Sequence, residues 1–208
     1  MFTVFLIDDD LGALRASTQL LQANGYDVLP FTSSQAFLAK HDRASPGCAI
    51  IEASSPGLDG LKLQRALVRL KSRHPIIFLT SKPDIPTCVR AMKAGAADFL
   101  TKPPKQEDLF EALEAAKKQV AKGCRTEARL KSIKARFATL TPRENEVMRH
   151  VIAGRINRET AKVLGTGEKM IKVHRGRVMQ KLGVSSVAEL VRLVEKAEVP
   201  PAARETKV

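Results

Sequence analysis

The sequence predicts an α/β doubly wound (βα)5 domain joined by a charged helical linker to an all-α domain of four helices. Three observations carry that prediction. Short apolar runs alternate with helical patterns over residues 1–121, whereas from Leu140 onward there are four helical patterns and no strand. Charge is divided in the same way: residues 1–121 hold 15 Lys+Arg against 13 Asp+Glu, and residues 122–208 hold 20 against 9. Strand-like runs such as Ile76-Ile77-Phe78-Leu79 are apolar on both faces, as a parallel sheet covered by helices on both sides requires.

Taken in order, the strands fall near 3–7, 26–30, 48–52, 76–80 and 97–100, and the helices near 11–24, 34–41, 59–73, 86–94 and 106–121. Gly25 and Gly95 stop the first and fourth helices, and Pro75 precedes the fourth strand. Residues 122–138 place Arg125, Arg129, Lys131, Lys134 and Arg136 among Leu130, Ile133 and Phe137, which reads as a charged, partly helical linker. The second domain, 139–208, opens with a strong helix start. Thr141 is an N-cap, Pro142 takes the first helical position, and Glu144 closes a capping box.

That helix stops at Gly154. Asn157 is expected to cap a short helix, 158–164, ended by Gly165. A longer helix, 168–182, stops at Gly183, and Ser185 or Ser186 caps a last one to about 197. A helix, a glycine-containing turn and a second helix carrying Lys169, Lys172, Arg175, Arg177 and Lys181 have the helix-turn-helix layout. In the second of these helices Ile171, His174, Val178 and Leu182 recur at helical spacing and face the core. Lys172, Arg175 and Gly176 lie on other faces.

Composition narrows the function classes. The net charge is +13, concentrated in the second domain, and favours a polyanionic partner such as nucleic acid. No apolar run is long enough to span a membrane, and Met1-Phe2-Thr3 does not open a signal peptide, so a cytoplasmic protein is expected. Cys48, Cys88 and Cys124 are scattered without metal-binding spacing, which suits a reducing compartment and small buried hydrophobes.

In a doubly wound sheet the ligand site lies beyond the carboxyl ends of the strands. Read in order, those ends deliver Asp8 and Asp9, then Glu52, then Thr80, with Lys102 after the fifth strand. Clustered carboxylates suit a hard cation such as Mg²⁺, and a hydroxyl with an ammonium suits phosphoryl oxygens. Each residue alone reads more plainly as structural, since an Asp at a strand end commonly caps the next helix. It is their convergence on one edge that points to a phosphoryl-transfer pocket.

With these residues in view, 1–121 resembles the receiver domain of two-component response regulators of the FixJ-like branch. The matching stretches are Phe5-Leu6-Ile7-Asp8-Asp9-Asp10, Ser55-Pro56-Gly57-Leu58-Asp59-Gly60, Leu79-Thr80-Ser81 and the long run Val89 to Pro103. The resemblance implies that Asp8, Asp9, the residue at 52 and the carbonyl of Ser54 hold Mg²⁺. It also implies that Thr80 and Phe99 form a switch pair, and that Lys102, before a cis Pro103, binds phosphate. The departure falls on the nucleophile, where the family has Asp and this chain has Glu52. Three consequences stay open: a standing partial phosphomimic paired with Lys102, a pocket frozen by a salt bridge as a scaffold, or slow phosphorylation on Glu52.

Residues 138–198 resemble the LuxR-type helix-turn-helix of the NarL/FixJ regulators. The resemblance rests on Leu140-Thr141-Pro142-Arg143-Glu144, Leu164-Gly165, Lys172-Val173-His174-Arg175 and Lys181-Leu182-Gly183-Val184. It implies that Lys172 and Val173 face bases, that Arg158, Lys169, Arg175 and Arg177 meet phosphates, and that side-chain-free Gly176 permits close approach. Thr160 and Thr166 stand where the family usually has isoleucine, and Met170-Ile171 replaces the common Thr-Val. The last helix has an apolar stripe, Val187, Leu190, Val191 and Val194, suited either to dimerisation or to packing on its own domain. The expectation is a homodimeric DNA-binding transcription regulator and not an enzyme. Its control falls to a sensor histidine kinase or to another protein or small-molecule partner.

Overall fold

The computed structural model describes residues 2–43, 45–55 and 57–197, with the side chains of Ser54 and Ser55 excepted. The last eleven residues of the second domain therefore lie outside the described residues. The first unit contains five parallel strands: β1 Thr3–Ile7, β2 Asp27–Phe31, β3 Gly47–Ile51, β6 Ile76–Thr80 and β7 Asp98–Thr101. They are ordered β2-β1-β3-β6-β7, and every pairing is parallel. Between them run α1 Leu11–Ala23, α2 Ser34–Lys40, α3 Gly60–Arg69 and α4 Ile85–Lys93.

Alternation along the strands explains the two-sided core. Phe5 and Ile7 of β1, Ala49 and Ile51 of β3, and Phe78 of β6 point to one face, where they bury Phe37, Leu63 and Leu67. Val4, Leu6, Cys48, Ile50, Ile77 and Leu79 point to the other, against Leu14, Leu21, Leu109 and Leu113. Cys48 sits in this core as a small hydrophobe, and burial pushes its thiol up to about 12. Cys124, by contrast, is exposed.

Helix starts follow the side-chain caps. Asp10, Ser33, Asp59 and Asp84 each accept backbone N–H bonds from the first turn of α1, α2, α3 and α4. Gly25 and Gly95, which follow α1 and α4, adopt φ of 81° and 90°. Three boundaries differ from the sequence reading. The third helix ends early, at Arg69, because the chain turns through Lys71 at φ 52°. The segment expected as a loop at 53–57 includes half of a short antiparallel pair, β4 Ser54–Ser55 with β5 Leu58–Asp59.

The third difference is the linker. Residues 122–138 are helical throughout and continue the helix expected to end at 121: α5 runs unbroken from Gln106 to Ala138, 33 residues. The stretch is rich in Ala, Lys, Arg, Glu and Leu and contains no proline, so helix propensity carries it through Gly123. The chain divides into two compact units at a point within this helix, between Cys124 and Arg125.

The second unit adds α6 Pro142–Ile152, α7 Asn157–Val163, α8 Glu168–Leu182 and α9 Val187–Ala197. Their core is Val147, Met148, Val151, Ala161, Ile171, Val178, Leu182, Leu190 and Val194. Leu190 and Val194 are buried here, so the centre of the α9 stripe packs on its own domain. The capping box at Thr141 and Glu144 is present, and Ser186 accepts the Glu189 N–H at 3.2 Å to start α9. Asn157 does not cap α7. It is the first helical residue, and Glu159 accepts the Ile156 N–H at 3.3 Å. Thr160 is buried with its hydroxyl donating to the Ile156 carbonyl at 3.1 Å, which satisfies a polar group in the core.

Candidate functional site

Register builds the first site. The strand ladders continue one bond past the regular strands: Asp8 N–H donates to the Phe31 carbonyl at 3.0 Å, Glu52 N–H to Ile7 at 3.0 Å, and Lys102 N–H to Thr80 at 2.8 Å. Asp8, Glu52, Thr80 and Lys102 therefore share one sheet edge, as the sequence predicts. Asp8 and Glu52 are each only 3% exposed, and Thr80 is fully buried. The Lys102 ammonium lies 2.5 Å from Asp8 Oδ2 and 2.7 Å from Glu52 Oε2, a three-membered ion cluster. The Lys102–Pro103 peptide is cis, as the resemblance implies.

Each carboxylate has further work. Asp8 Oδ1 accepts the Asp10 N–H at 3.0 Å, and Asp9 Oδ2 accepts the Gly57 N–H at 3.0 Å. Burial alone would lower the Lys102 pKa, but hydrogen bonds to Asp8 and Glu52 reverse that and hold it above the ordinary lysine value. The hydroxyl that reaches Glu52 is that of Ser81, donating to Oε2 at 3.4 Å, whereas Thr80 Oγ1 accepts the Lys82 N–H. The sequence reading gave Thr80 a hydroxyl role toward phosphoryl oxygens and gave Ser81, the next residue of the same motif, no role. Phe99 is half-buried and packs on Phe78 at 5.8 Å between ring centroids.

The expected Mg²⁺ site is a mismatch in this arrangement. Mg²⁺ requires near-octahedral oxygen donors at about 2.0–2.1 Å. Here the Asp8 and Glu52 oxygens converge on an ammonium, and Asp9 is tied to the Gly57 loop. Among the described residues no group of three or more His, Cys, Asp or Glu side chains could hold a metal ion. The Ser54 backbone belongs to the short β4–β5 pair, opposite Asp59. Gly60 packs against the backbone of Glu52: a Cβ there would sit 2.3 Å from the Glu52 carbonyl oxygen, so only glycine permits this approach.

The second site is on α7 and α8. Lys169, Lys172, Val173, Gly176 and Arg177 are all exposed on α8, on the side away from Ile171, Val178 and Leu182, and Arg158 is exposed on α7. Arg175 is half-buried, and its Nη1 donates to Asn157 Oδ1 at 3.2 Å, tying the two helices together. His174 is half-buried with Nδ1 enclosed and without a hydrogen-bond partner in the structure. Lys181 has a structural task. Its ammonium bonds Glu144 at 2.6 Å and the Thr139 carbonyl at 3.0 Å, holding α8 to the start of α6.

Comparison with known proteins assigns the chain to a family. Residues 4–114 match the response regulator receiver domain, and residues 138–194 match the bacterial regulatory proteins of the luxR family. The chain belongs to the NarL/FixJ family of response regulators. It is 38% identical over 193 residues to the response regulator protein TodT of Pseudomonas putida, covering 93% of this chain and 85% of the relative. It is 38% identical over 194 residues to the transcriptional regulatory protein FixJ of Bradyrhizobium diazoefficiens, covering 93% and 95%.

Among solved structures, the response regulator StyR superposes with a TM-score of 0.80 at 38% identity, over 94% of this chain and 98% of that one. Full-length FixJ from B. japonicum gives 0.56 at 38% identity, over 94% and 97%. This response regulator is therefore a DNA-binding transcription regulator of two-component type: the ion cluster lies in the stretch matched to the receiver domain, and α7 and α8 lie in the stretch matched to the luxR family. No described helix of it is long and apolar enough to cross a membrane.

Proposed function

We propose that this response regulator controls transcription through a receiver that works without aspartyl phosphorylation, with Glu52 standing at the phosphoacceptor position. The observation that carries the reading is the bridge from Lys102 to Asp8 at 2.5 Å and to Glu52 at 2.7 Å. An incoming phosphoryl group would need that ammonium, and Mg²⁺ would need the same carboxylates. The glutamate also displaces its carboxylate by one C–C bond, roughly 1.5 Å. A misplacement near 1 Å already costs on the order of a hundredfold in a positioned transfer. The pocket is thus held in one state by its own side chains.

The output is a homodimer on a near-palindromic duplex in the cytoplasm. Arg158, Lys169, Arg175 and Arg177 meet phosphates, while Lys172 and Val173 meet bases with Gly176 allowing close approach. Control passes to DNA or to a protein or small-molecule partner instead of a sensor histidine kinase. A second reading has one observation in its favour: the Ser81 hydroxyl already bonds Glu52, as a hydroxyl would bond a phosphoryl oxygen. In that reading Glu52 is a standing partial mimic, supplying about −1 charge where a phosphoryl group supplies about −2.

Intact mass after incubation with acetyl phosphate and Mg²⁺ tests the proposal. The wild-type chain stays unmodified, and a stoichiometric phosphoryl adduct on Glu52 overturns the reading. Duplex binding by Glu52→Gln then separates the two versions. Weakened binding identifies the mimic, and unchanged binding the locked scaffold.

A further inference from the structure

We propose that Met170 is a specificity-determining residue of the DNA interface, reading thymine 5-methyl groups in the major groove. This rests on α8 being the recognition helix. The outward side of α8 carries two neighbouring ridges at i, i+3, i+7 spacing: Lys169, Lys172, Gly176 and, beside it, Met170, Val173, Arg177. Met170 is 47% exposed and Val173 45%, while Ile171, Val178 and Leu182 on the opposite side are buried.

Single exposed apolar residues need no explanation. Two adjacent ones, in the first two turns of a cationic helix, form an apolar step at the place where a recognition helix meets base edges. Lys169, Lys172 and Arg177 supply attraction to phosphates, which carries no sequence information by itself. In the major groove the apolar group offered by a base edge is the thymine methyl, so an apolar step there selects T. Methionine suits the task because its unbranched thioether adapts to the methyl's position. Gly176 keeps the neighbouring ridge low: a Cβ built on it meets nothing within 4 Å, so no side chain holds the helix away from the groove.

The test uses the full chain. Duplexes are selected from a random pool, and each dT of a selected site is replaced in turn by dU, which deletes only the methyl. At one or two positions the replacement weakens wild-type binding about fourfold, the effect of one buried methyl. Met170→Ala binds the dU duplex as wild type does and loses the T-over-U preference at one of those positions. Because Met170 is exposed, its thermal midpoint stays at the wild-type value. Equal T-over-U ratios in wild type and Met170→Ala, or no dU-sensitive position, overturn the proposal. A Lys169→Ala/Lys172→Ala double variant separates the failures. If it binds like wild type, α8 is not the recognition helix; if it loses binding while dU has no effect, only the assignment of Met170 falls.

Discussion

At the scale of single residues, Lys102 shows how one side chain can set a pocket's state. Its ammonium is mostly enclosed, with two carboxylate partners that are themselves nearly fully buried. Removing one member of such a cluster leaves unpaired buried charge, which costs about 3–5 kcal/mol. Lys102→Met should lower the unfolding free energy of the receiver by about that amount, read from urea denaturation at pH 7. The raised pKa of Lys102 fixes the pH window in the wild type. A folded value above the unfolded one means that its contribution is complete below the ordinary lysine value and disappears as pH rises through the folded value. Wild type should therefore lose stability as pH rises above the ordinary lysine value, and Lys102→Met should lack that decline.

His74 has the opposite sign. Burial lowers its pKa, against a hydrogen bond from Nε2 to the Ser45 carbonyl at 2.7 Å, and His41 adds its charge at 5.1 Å between ring centroids. A depressed folded value gives stability that is present above the ordinary histidine value and is lost as pH falls through the folded one. Receiver stability should fall between pH 7 and pH 5, and His74→Phe should flatten that slope. A slope unchanged in the variant would assign the acid sensitivity elsewhere.

At the scale of elements, α5 and α3 each turn a structural reading into a measurement. Gly123 lies within the unbroken helix Gln106–Ala138, and a Cβ there meets nothing within 4 Å. Gly123→Ala should stabilise the chain by about 0.5–1 kcal/mol, the helix-propensity difference, and leave far-UV helicity unchanged. A linker with a break at that point would gain nothing. Gly60→Ala works against the fold, because its Cβ meets the Glu52 carbonyl oxygen, and it should cost about 1–3 kcal/mol as overpacking does. The five strands, their parallel pairing and the capping box at Thr141 and Glu144 were legible because apolar runs and cap residues are local signals. Less legible were features decided by tertiary contact or propensity balance: the helix carried across Gly123, the β4–β5 pair, and Ile156 displacing Asn157 at the cap. Convergence of Asp8, Glu52, Thr80 and Lys102 could be read from strand ends alone. The direction of each side chain could not, so Ser81 was given no role and Mg²⁺ was expected where an ammonium sits.

At the scale of the whole molecule, the uneven charge between residues 1–121 and 122–208 raises the question of which cations meet DNA and which hold the fold. Lys169 and Arg158 are exposed, each on a helix of the helix-turn-helix. Lys181, with the same formal charge, pins the buried carboxylate of Glu144, whose pKa the Lys181 hydrogen bond and the Thr141 N–H hold below the usual carboxylate range. Duplex affinity plotted against salt separates the two jobs, since each neutralised phosphate contributes a slope of about −0.9. Lys169→Ala and Arg158→Ala should each make the slope shallower by about 0.9 and leave the thermal midpoint alone. Lys181→Ala should keep the slope and lower the midpoint by several degrees, because it strands Glu144 in the core. Since a lowered carboxylate pKa gives stability that is lost as pH falls through the folded value, that deficit should shrink on acidification. A shallower salt slope in Lys181→Ala would place this lysine on the DNA instead.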